Sequence, residues 1–196
     1  MTISTSHTDT LPAWANWLTR WPGITLAFVW GFAEGTLFFV LPDVPLSLAA
    51  MCRVRRSLIH VAAIVAGALL GGAVMFSWAA RSAAAHDAVA QVPLVRPEMF
   101  QRSESDYREL GVWAACGGPI RGIPYKVYAV EAPEHASLLS FLLVTIPARM
   151  WRLVVVWLIF AGAGKILRRL GRFSLAPGLH LFCWIGVYLV YWAKVR

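Results

Sequence analysis

Six ionisable side chains sit where the surrounding sequence is too apolar to solvate them. Glu34 and Asp43 stand in EGTLFFVLPDVP (residues 34–45), within an otherwise apolar stretch over residues 24–51. Arg121 and Lys126 flank Gly122 and Pro124 in a second interrupted segment, and Arg149 and Arg152 follow Pro147 inside a long apolar run. A charge at membrane depth costs at least roughly 3 kcal/mol on insertion scales. The economical arrangement therefore pairs these acids with these bases. Two acids against four bases leave positive charge over, which suits an anion. Phosphate is the natural candidate, because Arg can grip it through two parallel hydrogen bonds. Burial favours the neutral form of a carboxyl, so an acid in this setting can also carry a proton.

The elements must bring these groups together. On an unbroken helix Glu34 and Asp43 would be separated by ~900° of rotation and would face opposite sides. Pro42 and Pro45 remove backbone donors and interrupt the helix, which lets both acids line one cavity. Arg149 and Arg152, at i and i+3, share a helix face. Irregular backbone at membrane depth needs protein or water around it. Paired broken segments in the two halves of a chain indicate a transporter-type site built on inverted repeats. The expected fold is thus all-α: a polytopic membrane protein with two opposed re-entrant, proline-broken hairpins plus transmembrane helices.

Composition supports this class. The 196 residues are 59% hydrophobic and 14% charged, with ten Trp and a mean hydropathy of +0.62, which excludes disorder and favours a membrane protein over a soluble core. Residues 57–80, 138–164 and 175–192 are apolar runs long enough to cross, at ~20 residues per crossing. Gly67 and Gly71 form a GxxxG pair, read as close helix packing. Residues 11–22 (LPAWANWLTRWP) carry Trp14, Trp17, Leu18 and Trp21 on one stripe, suited to a short helix in the membrane interface or packed on the domain. Three regions follow: 1–22, a polar N-terminus and interfacial helix; 23–172, the membrane domain; 173–196, a C-terminal transmembrane helix.

The net charge of +8 resides mostly in short clusters beside the apolar runs, Arg53, Arg55 and Arg56, then Lys165, Arg168, Arg169 and Arg172. These read as cytoplasmic topology signals and contacts to anionic lipid, with no nucleic-acid partner. Residues 81–109 mix both signs and are expected on the opposite side as a solvated helix or loop face. Lys194 and Arg196 fit this topology poorly, ending outside if the last helix crosses. Cys52, Cys116 and Cys183 have no ligand or disulfide spacing, and the five His are scattered. No metal, no cofactor and no enzymatic nucleophile is expected. Nor is a secretory signal expected, since the first ten residues lack an apolar core.

Three ordered motifs carry a resemblance. FAEGTLFFVLPDVPL (32–46) resembles the acidic re-entrant motif of the DedA membrane proteins (the SNARE-associated, or VTT-domain, superfamily), written E-x-S-F-F-P-I-P-P-D-V in one subfamily. IPYKVYAVEA (123–132) is similar to their T-P-I-P-Y-K-V-F-T-I-A-A-G, and PARMWRLVVV (147–156) to their G-R-G-x-R-F. The similarity covers about residues 28–170. The chain departs at Phe39-Val-Leu41, where the family has P-I-P, and at Glu131-Ala-Pro133, where it has A-A-G or A-S-G.

The resemblance implies a multi-pass protein of the bacterial inner membrane that moves lipids such as undecaprenyl phosphate or phospholipids between leaflets, linked to the proton motive force. Glu34 and Asp43 would match the acidic pair, and Lys126, Arg149 and Arg152 the basic positions. Arg121 is added from its place beside the second break. The expected partners are membrane lipids with an anionic headgroup or lipid phosphate, and a second copy of the chain as a homo-oligomer. Two other readings stay open: a small-ion transporter using the same cavity, and a non-transporting scaffold whose buried ion pairs only fix helix register.

Overall fold

Proline, glycine and charge placement divide the apolar sequence into helices that stop in the interior as well as at the ends. The computed structural model describes residues 13–39 and 41–195. Residues 1–12, Val40 and Arg196 lie outside the described residues, and with them the polar N-terminus, the first two residues of the tryptophan-rich stretch and the last basic residue. Among the described residues the regular structure is entirely helical. In order come α1 (Ala13–Leu18), α2 (Trp21–Gly35), α3 (Asp43–Cys52), α4 (Val54–Ala79), α5 (Ala84–Ala90), α6 (Pro97–Leu110), α7 (Ala114–Arg121), α8 (Tyr125–Glu131), α9 (Leu138–Arg169) and α10 (Ala176–Val195).

Three helical stretches are long and apolar enough to cross a membrane: Val54–Ala79, Leu138–Arg169 and Phe173–Val190. They agree in place with the three expected runs, but the limits of each differ. α4 begins three residues early and takes Arg55 and Arg56 into its first turns. α9 runs on past Gly164 through Lys165, Arg168 and Arg169. These are good helix formers, and their charge suits the negative end of the helix dipole. Arg168 then reaches across to the Met51 carbonyl at 2.6 Å, closing the end of α3.

The tryptophan-rich stretch is not one helix. α1 stops at Leu18, Arg20 is extended, and α2 restarts at Trp21. The Leu18 carbonyl lies 2.8 Å from His60 Nε2 of α4. Leu18 is therefore buried, while Trp14, Trp17 and Trp21 stay exposed, and the expected four-residue stripe is split.

α2 and α4 lie parallel in intimate contact. Gly31 faces Ile64, Gly35 faces Ala68, and Gly67 faces Phe28 and Phe32, so positions advance together along both helices. The GxxxG pair is thus one side of a contact that two glycines of α2 complete. α3 turns back. Asp43 meets Arg152 and Met51 meets Gly164, so α3 runs parallel to α9. α9 is antiparallel to α4, with the Phe141 ring tilted against Phe76 and Trp157 bonded to Ser57 at 2.8 Å. α2 and α3 accordingly form a hairpin whose two outer ends both lie at the start of α4.

The expected solvated face at 81–109 is solvated on one side only. In α6 the residues Met99, Ser103, Asp106 and Tyr107 are buried, a helical stripe that packs on α8. The Tyr107 hydroxyl donates to the Tyr128 carbonyl at 2.9 Å, and the Tyr128 hydroxyl donates to Asp106 at 2.6 Å.

Candidate functional site

The break in each hairpin sets one part of the site. α2 ends at Gly35, where Thr36 returns its hydroxyl to the Ala33 carbonyl at 2.9 Å. α3 opens with Asp43, and Pro45 falls in its first turn, where a missing N–H costs little. Glu34 is therefore the next-to-last residue of one half-helix and Asp43 the first residue of the other. An acid is favoured at a helix N-terminus and disfavoured at a C-terminus. Asp43 thus gains from its helix, whereas Glu34 depends on an external cation.

α9 supplies the cations from one face. Arg149 Nη2 lies 2.6 Å from Glu34 Oε2, with both side chains 7% exposed. One turn on, Arg152 Nη2 lies 3.2 Å from Asp43 Oδ2. Neither contact is aligned as a hydrogen bond. Glu34 Oε2, both Asp43 oxygens, and Nε and Nη2 of each arginine have no hydrogen-bond partner among the described residues. Coulomb attraction holds the pairs and leaves donors and acceptors unused, although buried polar groups are ordinarily satisfied.

The second break, Gly122 to Pro124, carries the remaining base to the first. Gly122 is in the left-handed conformation and closes α7, and extended Pro124 starts α8. Buried Lys126 donates to the Phe38 carbonyl, in the break between α2 and α3, at 2.6 Å. The bond supplies a partner for a carbonyl that lies outside any helix. The two interrupted segments thus meet at their breaks.

Five of the six residues singled out by sequence converge: Glu34, Asp43, Lys126, Arg149 and Arg152. Two acids and three bases leave one surplus positive charge. Arg121 does not join them. Its guanidinium pairs with Asp106 on α6, at the molecular surface, and the acid's hydrogen bond and charge raise the already high pKa of Arg121. Lying on α7 before Gly122, it is carried away from the interior that Lys126 enters after Pro124.

A cavity of about 260 Å³ adjoins the cluster, lined by Glu34, Lys126, Arg149 and Arg152, by the second break, by Val187 and Tyr188 of α10, and by residues 92–95. Two tyrosines complete it that spacing alone did not single out. Arg149 lies 4.0 Å over the Tyr125 ring, whose hydroxyl is 2.9 Å from Thr145. Tyr188 accepts from the Leu41 backbone N–H at 3.3 Å, joining α10 to the first break. Tyr125 had a signal in its place beside Lys126 in IPYK. Tyr188 had none, for nothing local links α10 to residue 41.

A second group of ionisable residues lies away from the cavity, at the outer end of α8. Burial, reinforced by Glu134 and Glu104 and only partly opposed by His135, pushes the Glu131 carboxyl up to about 7. No cluster of three or more His, Cys, Asp or Glu suited to a metal occurs among the described residues.

The chain matches no family model, no curated protein sequence and no solved structure.

Proposed function

We propose that this protein is an integral membrane transporter of DedA type that moves phosphate-bearing lipids between leaflets, as a flippase or scramblase linked to the proton motive force. The observation that carries the reading is the buried cluster itself: two ion-paired acids and three bases, at the meeting point of two broken helical segments, beside a cavity large enough for a headgroup. Intramembrane ionisable groups of this kind mark substrate or ion pathways. The α2–α3 hairpin, with both outer ends at the start of α4, supports a re-entrant first segment, and Glu131 at the far end of α8 supports an opposed second one. The basic residues around Arg53 and Arg168 favour placing the first hairpin's open end at the cytoplasmic face of a bacterial inner membrane.

The chemistry follows from the pairing. A proton taken up by Glu34 cancels the charge that holds Arg149. The guanidinium, with unused N–H groups, then turns to a phosphate in the cavity beside Lys126 and Arg152. Loss of the proton restores the ion pair and expels the anion. A ligand shifts such an equilibrium only by its different affinity for the two states, and protonation of Glu34 creates that difference.

The test is leaflet exchange of fluorescent anionic and zwitterionic lipids in reconstituted liposomes, with and without a proton gradient. Exchange that responds to the gradient and disappears in Glu34→Gln and Asp43→Asn, with both variants still membrane-inserted, supports the reading. Normal exchange in both variants would sink the mechanism. No exchange of any lipid would transfer the cluster to small-ion transport or to a structural role.

A further inference from the structure

A second cavity, of about 270 Å³, lies outside the charged one and shares Leu41, Arg152 and Val187 with it. Its walls are Val156, Ile159 and Phe160 of α9 and Cys183, Trp184 and Val187 of α10. Apart from Asp43 and Arg152 at its inner end, every side chain lining it is apolar or a thiol. Its lip is open, for Ile159 is 61% exposed and Val187 50%. Both flanking helices belong to stretches long and apolar enough to cross a membrane. The hollow is therefore a groove between two lipid-facing helices, and its inner end is an arginine that also lines the charged cavity.

A free, hydrated anion gains nothing from such a groove, because apolar walls offer no hydrogen bonds to replace its water. A hydrocarbon chain attached to an anion uses both parts at once. We infer that the groove between α9 and α10 holds one hydrocarbon chain of a phosphate-bearing lipid, with Arg152 at the junction where chain meets headgroup. This rests on the transport reading for the headgroup's place and deepens it by assigning a separate subsite to the lipid's hydrocarbon chain. The Asp43 pairing gives Arg152 a fixed position at the inner end, and its Nη2 and Nε have no hydrogen-bond partner among the described residues.

The test uses vesicles of phosphatidylcholine containing a small fraction of phosphatidic acid with a photoactivatable diazirine on one acyl chain, or phosphatidylcholine bearing the same chain. Cross-linked residues are located by mass spectrometry. The phosphatidic acid probe should label Val156, Ile159, Cys183 and Val187. That labelling should fall roughly tenfold in Arg152→Gln, the scale of one lost charge-assisted contact, and comparably in Ile159→Trp, which fills the groove from its exposed lip and leaves the ion pairs intact. The outward Leu181, Phe182 and Leu189 should react with both probes alike and serve as a measure of ordinary surrounding lipid. Groove labelling that ignores both headgroup and Ile159→Trp overturns the inference, even if Arg152→Gln fails to fold. Leaflet exchange measured on the same vesicles separates the two readings. Groove labelling without exchange keeps the chain site and removes transport, and exchange without groove labelling does the reverse.

Discussion

Glu34 and Arg149 meet at 2.6 Å with both side chains almost wholly buried, and each compensates the buried charge of the other. Glu34 stands at the unfavourable end of α2, and Arg149 stands on an apolar helix beside Pro147. Removing one partner strands a charge, which costs about 3–5 kcal/mol, whereas replacing both with apolar groups is often neutral. Glu34→Leu and Arg149→Leu should each lower unfolding stability in detergent micelles by that amount. The double variant should lose clearly less than either alone. Additive losses would show that the two side chains act independently.

Arg121 is a cation of the surface, not of the cavity. Arg121→Gln should leave lipid exchange at the wild-type rate, while Arg149→Gln abolishes it. The measurement is the same liposome assay with the two variants side by side. A joint loss of exchange, with Arg121→Gln normally folded, would return Arg121 to the site and contradict its pairing with Asp106.

The parallel contact of α2 with α4 tolerates no side chain at Gly67. A Cβ there would collide with the Phe28 carbonyl and come within 2.7 Å of the Phe32 nitrogen, and backbone cannot give way as a flexible side chain can. Gly67→Val should therefore exceed the ~1–3 kcal/mol typical of overpacking and yield no monodisperse protein on size-exclusion chromatography. Gly162→Ala, with nothing within 4 Å of the new carbon, should behave as wild type. Equal behaviour of the two would mean that the helices are not in register as described.

Glu131 makes stability depend on pH in a direction opposite to most carboxylates. Its folded value of about 7 lies above the ordinary 4.5, so between these values the folded state holds more protons than the unfolded one. Stability then falls as pH rises. The contribution is intact below about 4.5 and is lost by the time pH passes about 7. Thermal unfolding in detergent from pH 4.5 to 8 should show wild type declining more steeply than Glu131→Gln. Identical pH slopes would remove Glu131 as the cause.

Much of the architecture was legible from local chemistry. The apolar runs showed where α4, α9 and α10 would lie, since ~20 apolar residues can satisfy their backbone only as a helix. Pro42, Pro45, Gly122 and Pro124 located the two breaks, because each acts on its own backbone and immediate neighbours. Helix limits were less certain. α9 passes Gly164 because that glycine packs against Met51, a contact between residues far apart in the chain. The inward face of α6 was hidden for the same kind of reason, since Asp106 and Tyr107 look solvated until Tyr128 is placed beside them.

Local sequence is enough to tell which charges lie in apolar surroundings and where helices must break, since apolar length and lost backbone donors act on their own neighbourhood. It could not determine which acid meets which base. That was decided only when the α2–α3 hairpin folded back against α9, putting Glu34 on Arg149 and Asp43 on Arg152, and when the second break laid Lys126 on the Phe38 carbonyl. Arg121 and Lys126 look alike in sequence, each a cation beside the same break. The turn at Gly122 and Pro124 sends one to the surface and the other inside, because the pairing of charges depends on distance in space, which spacing along a broken chain does not fix.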